Sequence, residues 1–83
     1  MEHYLIIARS VTYAQRMQKT LDRGRIPSQI VRAPRELTDL GCAYAVQIHQ
    51  SDLVPALTLL RRARLDPVQI YLEQQGFYRE VSP

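Results

Sequence analysis

Four short strand-like runs and two helix-like segments alternate along this chain in the order β-α-β-β-α-β. Residues 4–9, YLIIAR, are rich in strand formers and apolar at both parities, which predicts a central strand contacted on both faces. Ser10 is a natural N-cap for residues 11–23, where Ala14, Met17 and Leu21 share one helical face and Arg16, Lys19 and Arg23 the opposite one. Gly24 is expected at the C′ position of that helix, with Pro27 shortly after. Residues 28–33, SQIVRA, read as a more polar strand at a sheet edge, closed by Pro34 because proline cannot donate to a ladder. A loop at 34–42 leads into residues 43–49, AYAVQIH, which alternate with Tyr44, Val46 and Ile48 on one face. Asp52 is expected to cap a second helix, with Pro55 in its first turn and Leu53, Leu57 and Leu60, with Ala56 and Ala63, on its apolar side. Asp66-Pro67 ends it, and residues 68–73, VQIYLE, alternate again with Val68, Ile70 and Leu72 inward.

Right-handed crossovers from strand 1 to 2 and from strand 3 to 4 turn this order into a ferredoxin-like α+β fold. Its four-stranded antiparallel sheet runs in the order 4-1-3-2, with both helices on one face. Residues 1–74 are expected to form the single domain and residues 75–83 a short C-terminal tail, from which Phe77 and Tyr78 can dock back. The second sheet face has no helix to cover it. Tyr4 and Tyr71 are expected there, which makes that face a contact surface and a route to a homodimer.

Composition narrows the function classes. With 46% apolar and 23% charged residues the chain is globular and not disordered. No apolar stretch approaches the ~18 residues of a membrane span, and a signal-peptide pattern is absent, so a cytoplasmic protein without membrane contact is expected. Charge is uneven: residues 1–35 carry seven basic side chains against Glu2 and Asp22, and residues 36–83 four against six acids. A basic half can attract nucleic acid or an acidic partner, or simply be a solvated helix face. The RNA-recognition mode of this topology stacks bases on aromatics of the central strands. Only Tyr4 and Tyr44 could be offered, and GCAYAVQI lacks the basic and aromatic pattern that mode uses, so no nucleic-acid partner is expected. No paired carboxylates, phosphate-cradling glycine loop or serine triad occurs, so no enzymatic activity or cofactor is expected either.

The remaining chemistry rests on Cys42, the single cysteine. Alone it cannot form an internal disulfide, and with only His3 and His49 beside it no metal spacing exists. The topology sends the 9–10 junction, the 34–42 loop and the 65–67 turn to one end of the sheet. Cys42 would then enter strand 3 near the N-terminus of helix 1, with Arg9 and Arg35 in reach. Helix amides and guanidinium groups both favour a thiolate over a thiol. The bland alternative is a cysteine that fills space at the start of a strand. His49 lies at the far end of strand 3, ~20 Å away, so a Cys-His dyad is not expected.

Several stretches carry a resemblance. An alanine-bearing first helix (Ala14), Gly24-Arg25-Ile26-Pro27, Pro34-Arg35-Glu36-Leu37 and the strand entry at Cys42 resemble the short bacterial domains catalogued as putative selenium/sulphur carrier proteins. The helix D-L-x-x-A-L-x-L-L and the strand VQIYLE extend the similarity to about residues 4–73. In that family glycine typically follows the cysteine, whereas here Ala43 follows and Gly41 precedes it. The resemblance implies a non-enzymatic carrier that holds sulfur or selenium on Cys42 for a partner enzyme. Arg35 would pair with the anionic cargo, supported by Arg9, Ser10 and Gly41. A regulatory or interaction module without chemistry is the competing reading.

Overall fold

The computed structural model describes residues 2–37, 44–67 and 69–81. Its elements are β1 (His3–Ala8), α1 (Val11–Arg23), β2 (Ser28–Arg32), β3 (Tyr44–His49), α2 (Leu53–Arg62), β4 (Gln69–Gln74) and β5 (Phe77–Val81), with 3₁₀ turns at Arg35–Leu37 and Gln50–Asp52. All strand pairings are antiparallel, in the order β2-β3-β1-β4-β5. The expected four-stranded sheet in the order 4-1-3-2 is therefore corrected to five strands. Residues 77–81, read from sequence as part of a tail, extend the sheet beyond β4. Between β4 and β5, Gln75 and Gly76 both have positive φ (49° and 83°), which a two-residue type I′ turn requires. That turn matches the twist of the flanking strands, so the chain pairs back on β4 at once.

Ser10 caps α1 as the sequence predicts, accepting the Tyr13 amide at 3.1 Å. The C-terminus differs from expectation. Gly24 is the C-cap at φ −85°, and Arg25 holds the left-handed C′ position at φ 62°. Arg25 and Ile26 donate back to the carbonyls of Asp22 and Leu21, closing a Schellman motif whose C″ residue, Ile26, is buried. Helix α2 ends the same way: Arg64 sits at φ 57°, Arg64 and Leu65 donate to Arg61 and Leu60, and Leu65 is buried. Glycine stands at position 24 for another reason, since a Cβ there would collide with the Leu59 side chain of α2. Asp52 does precede α2, but its side chain makes no capping bond. His49 takes that task for the preceding 3₁₀ turn, its Nδ1 accepting the Ser51 amide at 3.2 Å.

Strand parity divides the core in two. Ile6, Ala8, Val46 and Ile48 face the helices and pack with Ala14, Met17, Leu21, Ala56 and Leu60. Leu5, Ile7 and Ala45 point to the other face, yet they are no more than 3% exposed. Val31, Ala33, Leu37, Tyr71 and Tyr78 pack over them. On the face expected to lack a helix, Leu37 of the 3₁₀ turn after β2 and the tyrosines of β4 and β5 cover these three side chains from within the chain and are themselves half-buried. Tyr4 also moves, packing on the helix side with Tyr44, while Tyr71 alone of the expected pair lies on the other side.

Candidate functional site

Pairing register decides which expected site residues come together. Ala8 pairs Tyr44, Tyr44 pairs Arg32, and Ile7 pairs Gln69. The end of β1, the end of β2 and the starts of β3 and β4 therefore meet at one end of the sheet, where α1 also begins. Arg9, Ser10 and Arg35 all sit at this end. Gly41 and Cys42 lie outside the described residues, as do Ala43 and Val68. The described chain stops at Leu37 and resumes at Tyr44 on this same end.

Two of the expected supporting residues are already engaged. The Arg9 guanidinium lies 4.8 Å from the Tyr13 ring centre, a cation–π contact along the first turn of α1. Ser10 spends its oxygen on the Tyr13 amide and so acts as the helix cap. Arg35 is exposed at the first position of the 3₁₀ turn. Leu37, at the other end of that turn, packs toward Leu5, Ile7 and Ala45, and its carbonyl accepts from the Tyr71 hydroxyl at 3.5 Å, a long contact. The single Tyr71 proton is shared with Gln69 Oε1, the nearer acceptor at 3.0 Å. Leu37 and Tyr71 thereby tie the entry to residues 38–43 down to the sheet.

The non-helical face carries a polar row that sequence reasoning did not single out. Register places His49, His3, Glu73 and Tyr78 side by side across β3, β1, β4 and β5. The two imidazoles stand edge to face with centres 6.3 Å apart. Tyr78 donates weakly to Glu73 Oε2 at 3.4 Å. Burial, the charges of Glu73 and Glu36, and that hydrogen bond together push the Tyr78 hydroxyl above its ordinary pKa of 10.0. A cavity of about 460 Å³ opens beside His3, Ser28, Gln47 and His49, at the end of the sheet away from Tyr44. A smaller one of about 200 Å³ lies over Leu5 between Pro34, Gln47, Glu73 and Tyr78. Among the described residues no three His, Cys, Asp or Glu side chains converge to hold a metal ion. The signal for this row was present only in the register, since His3, His49, Glu73 and Tyr78 are far apart in sequence.

No helix among the described residues is long and apolar enough to cross a membrane. Neither the curated proteins nor the solved structures provide a match to this chain. A family model does match, over residues 3–72, which takes in β1 through most of β4 and the whole expected site region. On that match the chain belongs to the family described as putative Se/S carrier protein-like.

Proposed function

We propose that the protein is a small, non-enzymatic carrier that holds sulfur or selenium on the Cys42 thiol and passes it to a partner enzyme in the cytoplasm. The family match over residues 3–72 is the observation that carries this reading. The register supports it by bringing the chain on both sides of residues 38–43 to the sheet end where α1 begins. Arg35 would supply positive charge to the anionic cargo. Arg9 and Ser10 contribute by holding the first turn of α1 in place. Loading is a sulfur transfer without net redox change. The Cys42 thiolate attacks the outer sulfur of a donor persulfide, the donor S–S bond breaks, and the donor leaves as its thiolate.

The test is mass spectrometry of the folded protein after incubation with a low-molecular-weight persulfide. One added sulfur on the parent and none on Cys42→Ser supports the carrier reading. A folded parent that takes up no sulfur, and whose Cys42 also resists alkylation, ends it. The competing interaction module would pair through the non-helical sheet face or the basic stripe of α1; on the first of these Leu5, Ile7 and Ala45 are buried under residues of the same chain.

A further inference from the structure

Apart from Arg9 and Arg35, the carrier reading makes no use of the basic half of the chain. On α1, Arg16, Lys19 and Arg23 follow one another at i, i+3 and i+7, all exposed and opposite the buried Ala14, Met17 and Leu21. They do not simply radiate into solvent. With Thr20 they form one wall of a groove of about 250 Å³, whose other wall is Ala63 and Leu65 after α2. Arg62 does not line the groove, but it lies one turn on from Leu59, the residue that meets Gly24 of α1, and so falls on the α1 side of α2. Arg61 and Arg64, both exposed, extend the positive charge along the α2 end.

We infer that this groove between α1 and the end of α2 binds the phosphodiester backbone of a nucleic acid without reading its bases. Three features favour that ligand. Seven residues of helix advance ~10.5 Å, long enough for the row of cations to span two consecutive phosphates of a strand. Near the end of α2 the carbonyls of Leu59, Leu60 and Arg61, which would repel phosphate, accept the amides of Ala63, Leu65 and Arg64. The groove also lacks an apolar anchor. Leu65 is only 3% exposed, and the exposed large hydrophobics Val11, Val54 and Phe77 do not line it. A protein partner gains most of its affinity from such anchors, whereas phosphate contacts need only cations. Asp22 and Asp66, the acids nearest in sequence, do not line the groove either. The two tyrosines expected to serve base stacking on the sheet, Tyr4 and Tyr44, pack on the helix side instead.

The test is fluorescence anisotropy of the full chain with a labelled single-stranded RNA, an RNA duplex and a DNA duplex of mixed sequence. Four cations on phosphate predict a slope of log K against log salt of about −3 between ~50 and ~200 mM, and little dependence on base sequence. The triple variant Arg16→Gln, Lys19→Gln, Arg23→Gln should bind at least about tenfold more weakly at low salt, with the slope reduced to about −1. Arg79→Gln, on β5, should bind like the parent, and Cys42→Ser should too, which separates this proposal from the carrier reading. Far-UV circular dichroism checks that each variant is folded. The proposal is overturned if none of the three nucleic acids binds at low salt, or if the folded triple variant binds as the parent does. Binding of a poly-glutamate peptide through the same side chains, with no binding of nucleic acid, would also overturn it and assign the groove to an acidic protein.

Discussion

Two arginines and one glycine at the helix ends occupy positions that generic preferences would have exchanged. Left-handed φ costs a non-glycine residue ~1–2 kcal/mol, and Arg25 and Arg64 both carry that cost at φ 62° and 57°. Glycine would remove the strain at the expense of ~0.5–1 kcal/mol in the unfolded chain. Arg25→Gly is therefore expected to stabilise the fold by about 0.5–1 kcal/mol, seen as a rise of a few degrees in the thermal midpoint. Gly24→Ala should do the reverse, because the new methyl meets Leu59. Because the half-buried Leu59 end can shift, a loss of about 1 kcal/mol or less is expected, at the low end of overpacking costs. Leu59→Ala made in the Gly24→Ala background should recover part of it, giving a coupling that a double-mutant cycle in urea reads directly. Sequence reasoning put the glycine at C′ because it weighed the helix end alone. The close approach of α2 is a tertiary fact and overrides that preference.

Tyr78 offers a residue-scale check by titration. Its pKa is raised in the fold by burial first and by the carboxylates of Glu73 and Glu36 second. A raised folded pKa means that the neutral form is the one the fold favours. The contribution is complete below the unfolded value near 10 and is lost as pH rises through the higher folded value. Stability measured by urea titration is thus expected to fall above pH ~10 in the parent, and to fall less steeply in Tyr78→Phe. Equal slopes in the two proteins would remove Tyr78 as the cause.

Elements differ in how far the sequence announces them. Both helices and the first four strands were legible from the helical period of α1 and α2, the alternation of β3 and β4, the strand formers of β1 and β2, and chemical stops: Ser10 before α1, Pro34 after β2, Asp66-Pro67 before β4. β5 was not. Phe77, Arg79 and Val81 alternate with Tyr78 and Glu80, so both faces of an edge strand mix apolar and charged side chains. Its turn, Gln75-Gly76, lacks the Asn or Asp that marks a hairpin by eye, although Gln75 is held at φ 49°. Asparagine tolerates that conformation better than glutamine. Gln75→Asn should accordingly raise the thermal midpoint slightly without changing the circular dichroism spectrum, and a lowered midpoint would contradict the turn assigned here. The candidate site divides along the same line. The meeting of the ends of β1 and β2 with the start of β3 followed from topology alone, whereas the tie from Tyr71 to Leu37 and the capture of Arg9 by Tyr13 depend on side-chain placement that no periodicity encodes.

At the scale of the whole molecule, the question is what covers the other face of a five-stranded sheet that has its helices on one side. Leu5, Ile7 and Ala45 form an apolar strip on that face, and the chain covers it with Val31, Ala33, Leu37, Tyr71 and Tyr78. Leu37 belongs to a turn that returns onto the sheet immediately after Pro34, where the Leu37 amide donates to the Pro34 carbonyl at 3.0 Å. The cover therefore comes from within the chain. Sedimentation at high micromolar concentration is expected to show a monomer. Replacing Leu37 with alanine thins the cover over Leu5 and Ile7, and contiguous exposed apolar area favours association. Leu37→Ala should then sediment with a concentration-dependent average mass while the parent does not. A parent that is already dimeric, and a variant that leaves its mass unchanged, would mean that the face is buried by a partner copy and not by the chain's own turn.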